Sequence, residues 1–227
     1  MSKSPIIVAL DYDNPEEALA LVDRLQGSID FFKVGKQLFT RTGPEIVRQL
    51  RARKVDVFLD LKFHDIPETV RKAVRSCVDL DVRFLTIHTS GGSEMMKAAL
   101  AGAQASKTEI LGVTVLTSMN DAGLQELGVN RSVADQVVHL AKLAVDSGLT
   151  GLVCSPFEVE LIREKVSKTV SLVTPGIRGP EDAAGDQKRT LSAAEAMKRG
   201  STYLVVGRPI TQAKDPVEAA KRILEQI

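Results

Sequence analysis

Three charged residues stand close together in the stretch FLDLKFHDIPETV, residues 58–70: Asp60, Lys62 and Asp65. Asp60 and Lys62 are two apart among Val57, Phe58, Leu59 and Leu61, so on a strand they share one face. Opposite charges on the face of a buried strand are expensive to desolvate, which suggests that a site uses them. Asp11 and Lys33 close, or nearly close, two earlier apolar runs. If the first three strands are neighbours, Asp11, Lys33, Asp60 and Lys62 form an alternating charge network. Opposite charges in it attract by roughly 4 kcal/mol at about 4 Å and an effective dielectric near 20, before desolvation is counted. The acids favour the ammonium form of both lysines, making either a poor Schiff-base nucleophile and a good positioned proton donor. A purely structural ion-pair network is the alternative. Asp65 has two local readings: with Glu68 three residues on, it has the spacing of a capping box, or with Asp60 and a phosphate oxygen it could hold Mg²⁺. His64 alone is weak evidence for a metal.

The elements that would position these residues recur at a steady interval. Strand-like runs are read at residues 6–11, 31–35, 57–62, 84–89, 110–116, 151–155, 171–177 and 203–207. Helical patterns lie between most of them. PEEALALVDRL gathers Ala18, Leu21, Val22 and Leu25 on one side, and Pro15 suits a first turn. ADQVVHLAKLAVDSG repeats that period with Val137, Leu140, Ala141 and Ala144, and Gly148 is a plausible C-cap. Eight strands with seven intervening helices and a closing one, DPVEAAKRILEQI, is the count of an α/β TIM (β/α)₈ barrel. The first strand ends ALDYDNP without GxGxxG, which argues against a dinucleotide-binding doubly wound sheet. No linker or low-complexity segment divides residues 1–227, so one barrel domain is expected.

Composition narrows the function classes. Thirty basic residues against 29 acidic ones give a net charge of +1, which argues against a nucleic-acid-coating protein. The N-terminus reads as a first strand and not as a signal peptide, and no apolar run approaches a membrane span. Cys77 and Cys154 form no CxxC or zinc spacing and read as small buried side chains. A cytoplasmic setting is the default expectation.

Barrels keep their chemistry at the C-terminal ends of strands. Asp11, Lys33, Asp60, Lys62, His88, Thr117, Arg178 and Arg208 all fall there. GIRGPEDAAGDQKRT, residues 176–190, is long, polar and bounded by glycine, the character of a closing or binding loop. In VVGRPI, Gly207 permits close backbone approach, Pro209 can start a short helix, and Arg208 adds a bidentate donor for phosphate.

The segment DLKFHDIPETV resembles the signature of the orotidine 5'-phosphate decarboxylase family. The likeness extends over nearly the whole chain, through ALD, FFKVG, LTSM, TPGIR and VVGRPI in order. It implies decarboxylation of orotidine 5'-phosphate to UMP and CO₂ without cofactor or metal. By this resemblance Asp11 holds the ribose hydroxyl and Lys33 orients the network. Asp60 stands beside the scissile carboxylate, and Lys62 protonates C6. Asp65, with Ile66 and Thr69, reaches into the site of the partner subunit of a homodimer. Thr117 meets the pyrimidine, Gln187, Gly207 and Arg208 hold the phosphate, and Arg178 lies at the base of the closing loop. His88 is not carried over as catalytic. A magnesium-dependent sugar-phosphate decarboxylase or aldolase on the same barrel is the second enzyme reading, and a nonenzymatic nucleotide-binding protein is the third.

Overall fold

The computed structural model describes residues 4–178 and 191–227. Its eight parallel strands are β1 (Ile6–Ala9), β2 (Phe31–Gly35), β3 (Asp56–Phe63), β4 (Phe84–His88), β5 (Glu109–Val113), β6 (Gly151–Val153), β7 (Ser171–Thr174) and β8 (Tyr203–Val206). They pair in chain order, and β8 returns to β1 to close the expected TIM barrel. Six of the predicted runs overshoot their strands, by two or three residues at β1, β5, β6 and β7 and by one at β4 and β8. Leu10, Val115 and Ile177 lie past the ladders yet are buried, so apolar character there reports contact with the helical shell and not strand pairing.

The shell holds α1 (Pro15–Leu25), α2 (Lys36–Thr42), α3 (Glu45–Ala52), α4 (Pro67–Val78), α5 (Gly92–Gly102) and α6 (Asp121–Glu126). It continues with α7 (Val133–Asp146), α8 (Val159–Arg163), α9 (Ala193–Lys198), α10 (Arg208–Thr211) and α11 (Pro216–Leu224). One helix per crossover is therefore too few. Gly43, at φ 62°, and Pro44 divide the crossover after β2 into α2 and α3. Helix α1 starts as expected, with Pro15 in its first turn and the Asn14 side chain accepting from the Glu16 amide. Helix α7 buries Val137, Leu140, Ala141 and Ala144. It ends in a Schellman arrangement: Gly148 takes φ 101°, its amide donates to Val145 O, and the Leu149 amide donates to Ala144 O. Among the described residues no helix is long and apolar enough to cross a membrane. Cys77 and Cys154 are buried and free.

Period-two alternation decides what fills the barrel. Ile7 and Ala9, Phe31, Phe58, Phe84, Leu111 and Val113, Val153, Val173 and Val205 form its inner core. At the base, the Arg83 guanidinium lies 4.8 Å from the Phe31 ring centre and donates to Tyr203 Oη and Asp56. One or two inward positions further up β2, β3 and β4, the side chains become polar: Lys33 after Phe31, Asp60 and Lys62 after Phe58, and Thr86 after Phe84. The same alternation that seals the lower barrel thus delivers charge to its mouth.

Candidate active site

Lys33 on β2 and Asp60 and Lys62 on β3 come together at the C-terminal mouth with Asp11, which lies just past β1. Lys62 Nζ lies 2.7 Å from Asp60 Oδ1 and 2.8 Å from Oδ2. Lys33 Nζ lies 3.0 Å from Asp11 Oδ1 and 3.8 Å from Asp60 Oδ2. The alternating network is therefore present, running Asp11, Lys33, Asp60, Lys62. It is graded in exposure: the Asp11 side chain is 59% exposed and that of Asp60 only 12%. Burial alone would raise the Asp60 pKa. The charges of Lys33 and Lys62, with hydrogen bonds from Lys62 and Thr86, outweigh burial and hold this carboxyl below its usual range. Both Asp60 oxygens face ammonium groups, a setting that opposes a divalent cation there.

Local backbone geometry explains how Lys62 reaches that position. Between Leu59 and Phe63 the pairing with β4 slips: Leu59 lies opposite Leu85, but Phe63 lies opposite Ile87. Four residues along β3 thus advance against two along β4, a bulge of the kind found beside active sites. Within it Lys62 adopts φ 53°, a left-handed conformation that costs a side-chain-bearing residue on the order of 1 kcal/mol. Its amide donates to Thr86 Oγ1 at 2.9 Å instead of to the ladder.

A cavity of about 420 Å³ opens over this network. Its lining includes the expected Asp11, Lys33, Asp60, Lys62, Thr117, Arg178, Gly207 and Arg208. Arg208 opens α10, with Gly207 immediately before it. Arg178, after β7, and Arg208, after β8, thus line the same cavity as the charge network. Gln187, and most of the loop expected at residues 176–190, lie outside the described residues.

The structure keeps Asp65, Ile66 and Thr69 out of this cavity. All three are exposed, and Ile66 is 68% exposed, unusual for a large apolar side chain. The capping-box reading of Asp65 is corrected. The cap residue of α4 is Ile66, with no side-chain cap bond, and Glu68 pairs instead with Arg71 at 2.7 Å. Asp65 Oδ1 accepts from the adjacent Ile66 amide at 2.6 Å, which fixes the carboxylate without tying it to the helix interior. His88 packs against His64 with ring centres 5.5 Å apart. Burial, then the charges of His64, Lys62 and Lys36, push its pKa down to about 4.

Two site residues escape a reading of charge alone. Thr86, fully buried, donates its hydroxyl to Asp60 Oδ1 at 2.9 Å. It lies at the inward position between Phe84 and His88, and that alternation is the signal that could have found it. Gly35 is the other. A β-carbon there would stand 3.0 Å from Lys33 Nζ and 3.2 Å from Asp11 Oδ1, so its absence leaves room for that ion pair.

Comparison with known proteins agrees with the geometry. Residues 4–223 match the model of the orotidine 5'-phosphate decarboxylase / HUMPS family. The orotidine 5'-phosphate decarboxylase of Actinobacillus succinogenes is 50% identical over 223 residues, covering 97% of this chain and 96% of that one. The protein of that name from Methylacidiphilum infernorum is 51% identical over 218 residues, 96% and 95% of the two chains. The crystal structure of the Lactobacillus acidophilus orotidine 5'-phosphate decarboxylase superposes with a TM-score of 0.86 at 38% identity, over 98% of both chains. A conserved uncharacterised protein from Geobacillus kaustophilus superposes with a TM-score of 0.87 at 34% identity, over 98% of this chain and 99% of that one. With half its residues identical to such relatives across nearly its full length, the chain belongs to the orotidine 5'-phosphate decarboxylase family.

Proposed function

We propose that this chain decarboxylates orotidine 5'-phosphate to UMP and CO₂ in pyrimidine biosynthesis, using its own side chains and no cofactor, with Lys62 as the proton donor. The carrying observation is the Lys62 ammonium, held by both oxygens of a buried carboxylate in a cavity that also presents Arg208. In the reaction the bond from C6 to the carboxylate carbon breaks and CO₂ departs. The electron pair stays on C6 as an sp² carbanion with no carbonyl directly conjugated to it. A proton from Lys62 Nζ forms the new C6–H bond, and the amine is reprotonated from solvent. An ammonium fixed before the reaction stabilises charge that grows toward the transition state, without reorganising. Asp60, beside the substrate carboxylate, adds like-charge destabilisation of the bound ground state.

The remaining roles are those that the family resemblance implies. Asp11 holds the ribose hydroxyl and Lys33 orients the network, Thr117 meets the pyrimidine, and Gln187, Gly207 and Arg208 bind the phosphate. Arg178 takes the family's place at the base of the expected closing loop, and phosphate binding supplies energy for aligning the site. The chain acts as one catalytic domain in the cytoplasm, as a homodimer in which Asp65, Ile66 and Thr69 complete the partner subunit's site. The exposed Ile66 beside Asp65 supports a surface covered by a second copy.

The test is a spectrophotometric assay of the purified protein with orotidine 5'-phosphate. UMP should form at the same rate before and after dialysis against EDTA. No UMP, or a rate lost to EDTA and restored by Mg²⁺, would contradict this reading, the latter favouring metal-dependent sugar-phosphate chemistry on the same barrel.

A further inference from the structure

We infer that Thr86 is a positioning residue for the decarboxylation, holding Lys62 and Asp60 in their working geometry through one hydroxyl. The inference rests on the proposed roles of those two residues. Thr86 Oγ1 accepts the Lys62 amide and donates to Asp60 Oδ1, both at 2.9 Å. A hydroxyl can do both through a single oxygen, having one proton to give and lone pairs to receive. The directions are fixed: an amide can only donate, and the ionised Asp60 can only accept.

The site needs that contact for a specific reason. The bulge in β3 takes Lys62 out of register with β4, and its φ of 53° turns the amide away from an ordinary ladder partner. Without Oγ1, a part-buried N–H at a strained position would lack this acceptor, and the backbone would be drawn back toward a regular strand. Such a shift rotates the Lys62 side chain toward the opposite face. Asp60 would lose one of the groups that fix its rotamer, the others being Lys62 and Lys33. Thr86 has no exposed surface and packs between Phe84 and His88 on the inward face of β4, so it acts through its neighbours.

The experiment compares Thr86→Val, which keeps the shape and removes the hydroxyl, with Thr86→Ser, which keeps the hydroxyl and removes the methyl. Each is assayed for kcat and KM, beside wild type and Lys62→Ala. The valine protein should lose fivefold or more in kcat with KM changed less than threefold, because phosphate and ribose contacts are untouched. The serine protein should keep at least a third of wild-type kcat. Thr86→Ala, which needs no room for a second methyl, carries the valine prediction if the valine protein does not fold. A hydroxyl-free variant within twofold of wild-type kcat, or a serine protein as impaired as valine, overturns the inference. So does a loss confined to KM. Lys62→Ala separates the two levels: if it turns over normally, the proton-donor reading fails; if it is inactive while Thr86→Val is normal, only the role of Thr86 fails.

Discussion

Replacing Asp60 with asparagine tests the energetics of the charge network most fully. Asp60 has ammonium nitrogens at 2.7 and 3.8 Å, each attracted gross by about 4–6 kcal/mol at an effective dielectric near 20. Desolvation offsets much of this, and the net cost of removing one partner from a buried pair is about 3–5 kcal/mol. Lys33 keeps Asp11 at 3.0 Å, so the loss falls mainly on Lys62, whose side chain is 25% exposed. The lower end, about 3 kcal/mol, is therefore expected. For a chain of this size that is a fall of roughly 6–12 °C in Tm. If the same contacts orient Lys62 in the transition state, kcat falls by about two orders of magnitude. The pH dependence gives an independent sign. The Asp60 pKa is lower folded than unfolded, so its stabilisation is complete above the unfolded value of about 4 and disappears as pH falls through the folded one. The stability gap between wild type and Asp60→Asn, read by urea unfolding, should be level from pH 7 to 5 and close below about pH 4. A variant melting within about 2 °C of wild type with more than a tenth of its kcat would refute this reasoning. A gap that widens in acid would do so as well.

Two further outcomes follow from the arrangement around the cavity. Arg208→Ala should slow reaction of orotidine 5'-phosphate at low concentration by roughly 10–100-fold, the worth of a charged hydrogen bond, and leave the unphosphorylated nucleoside nearly unaffected. Equal losses for both substrates would remove Arg208 from the phosphate site. Mixing inactive Asp65→Ala and Lys62→Ala proteins should restore activity, since a hybrid dimer carries one site with both lesions and one intact. Mass spectrometry showing hybrids without recovered turnover would place Asp65 in its own subunit's chemistry, or in none.

Much of this architecture was legible because barrel strands repeat a simple signal. Runs such as Phe31–Gly35 match their strand ends, since glycine and the following helix stop the ladder where apolar character also stops. Asp11, Lys33, Asp60 and Lys62 were legible because charge inside apolar runs is costly and therefore rare. The bulge at Lys62 was not, because it arises from pairing with β4, and nothing in LDLKF marks a register slip. Thr86 was hidden for a related reason: a threonine in a strand is ordinary, and only its position across from Asp60 gives it a task. The capping-box pattern at Asp65 misled because Glu68 had nearer partners in Arg71 and Lys72.

The central claim is that the Lys62 nitrogen meets the carbon from which CO₂ departs. A crystal structure with bound UMP tests it most directly. The account predicts Lys62 Nζ within about 3.5 Å of C6, near the ring plane and still paired with Asp60. A nitrogen well beyond that reach, or one turned to the phosphate instead, would contradict it.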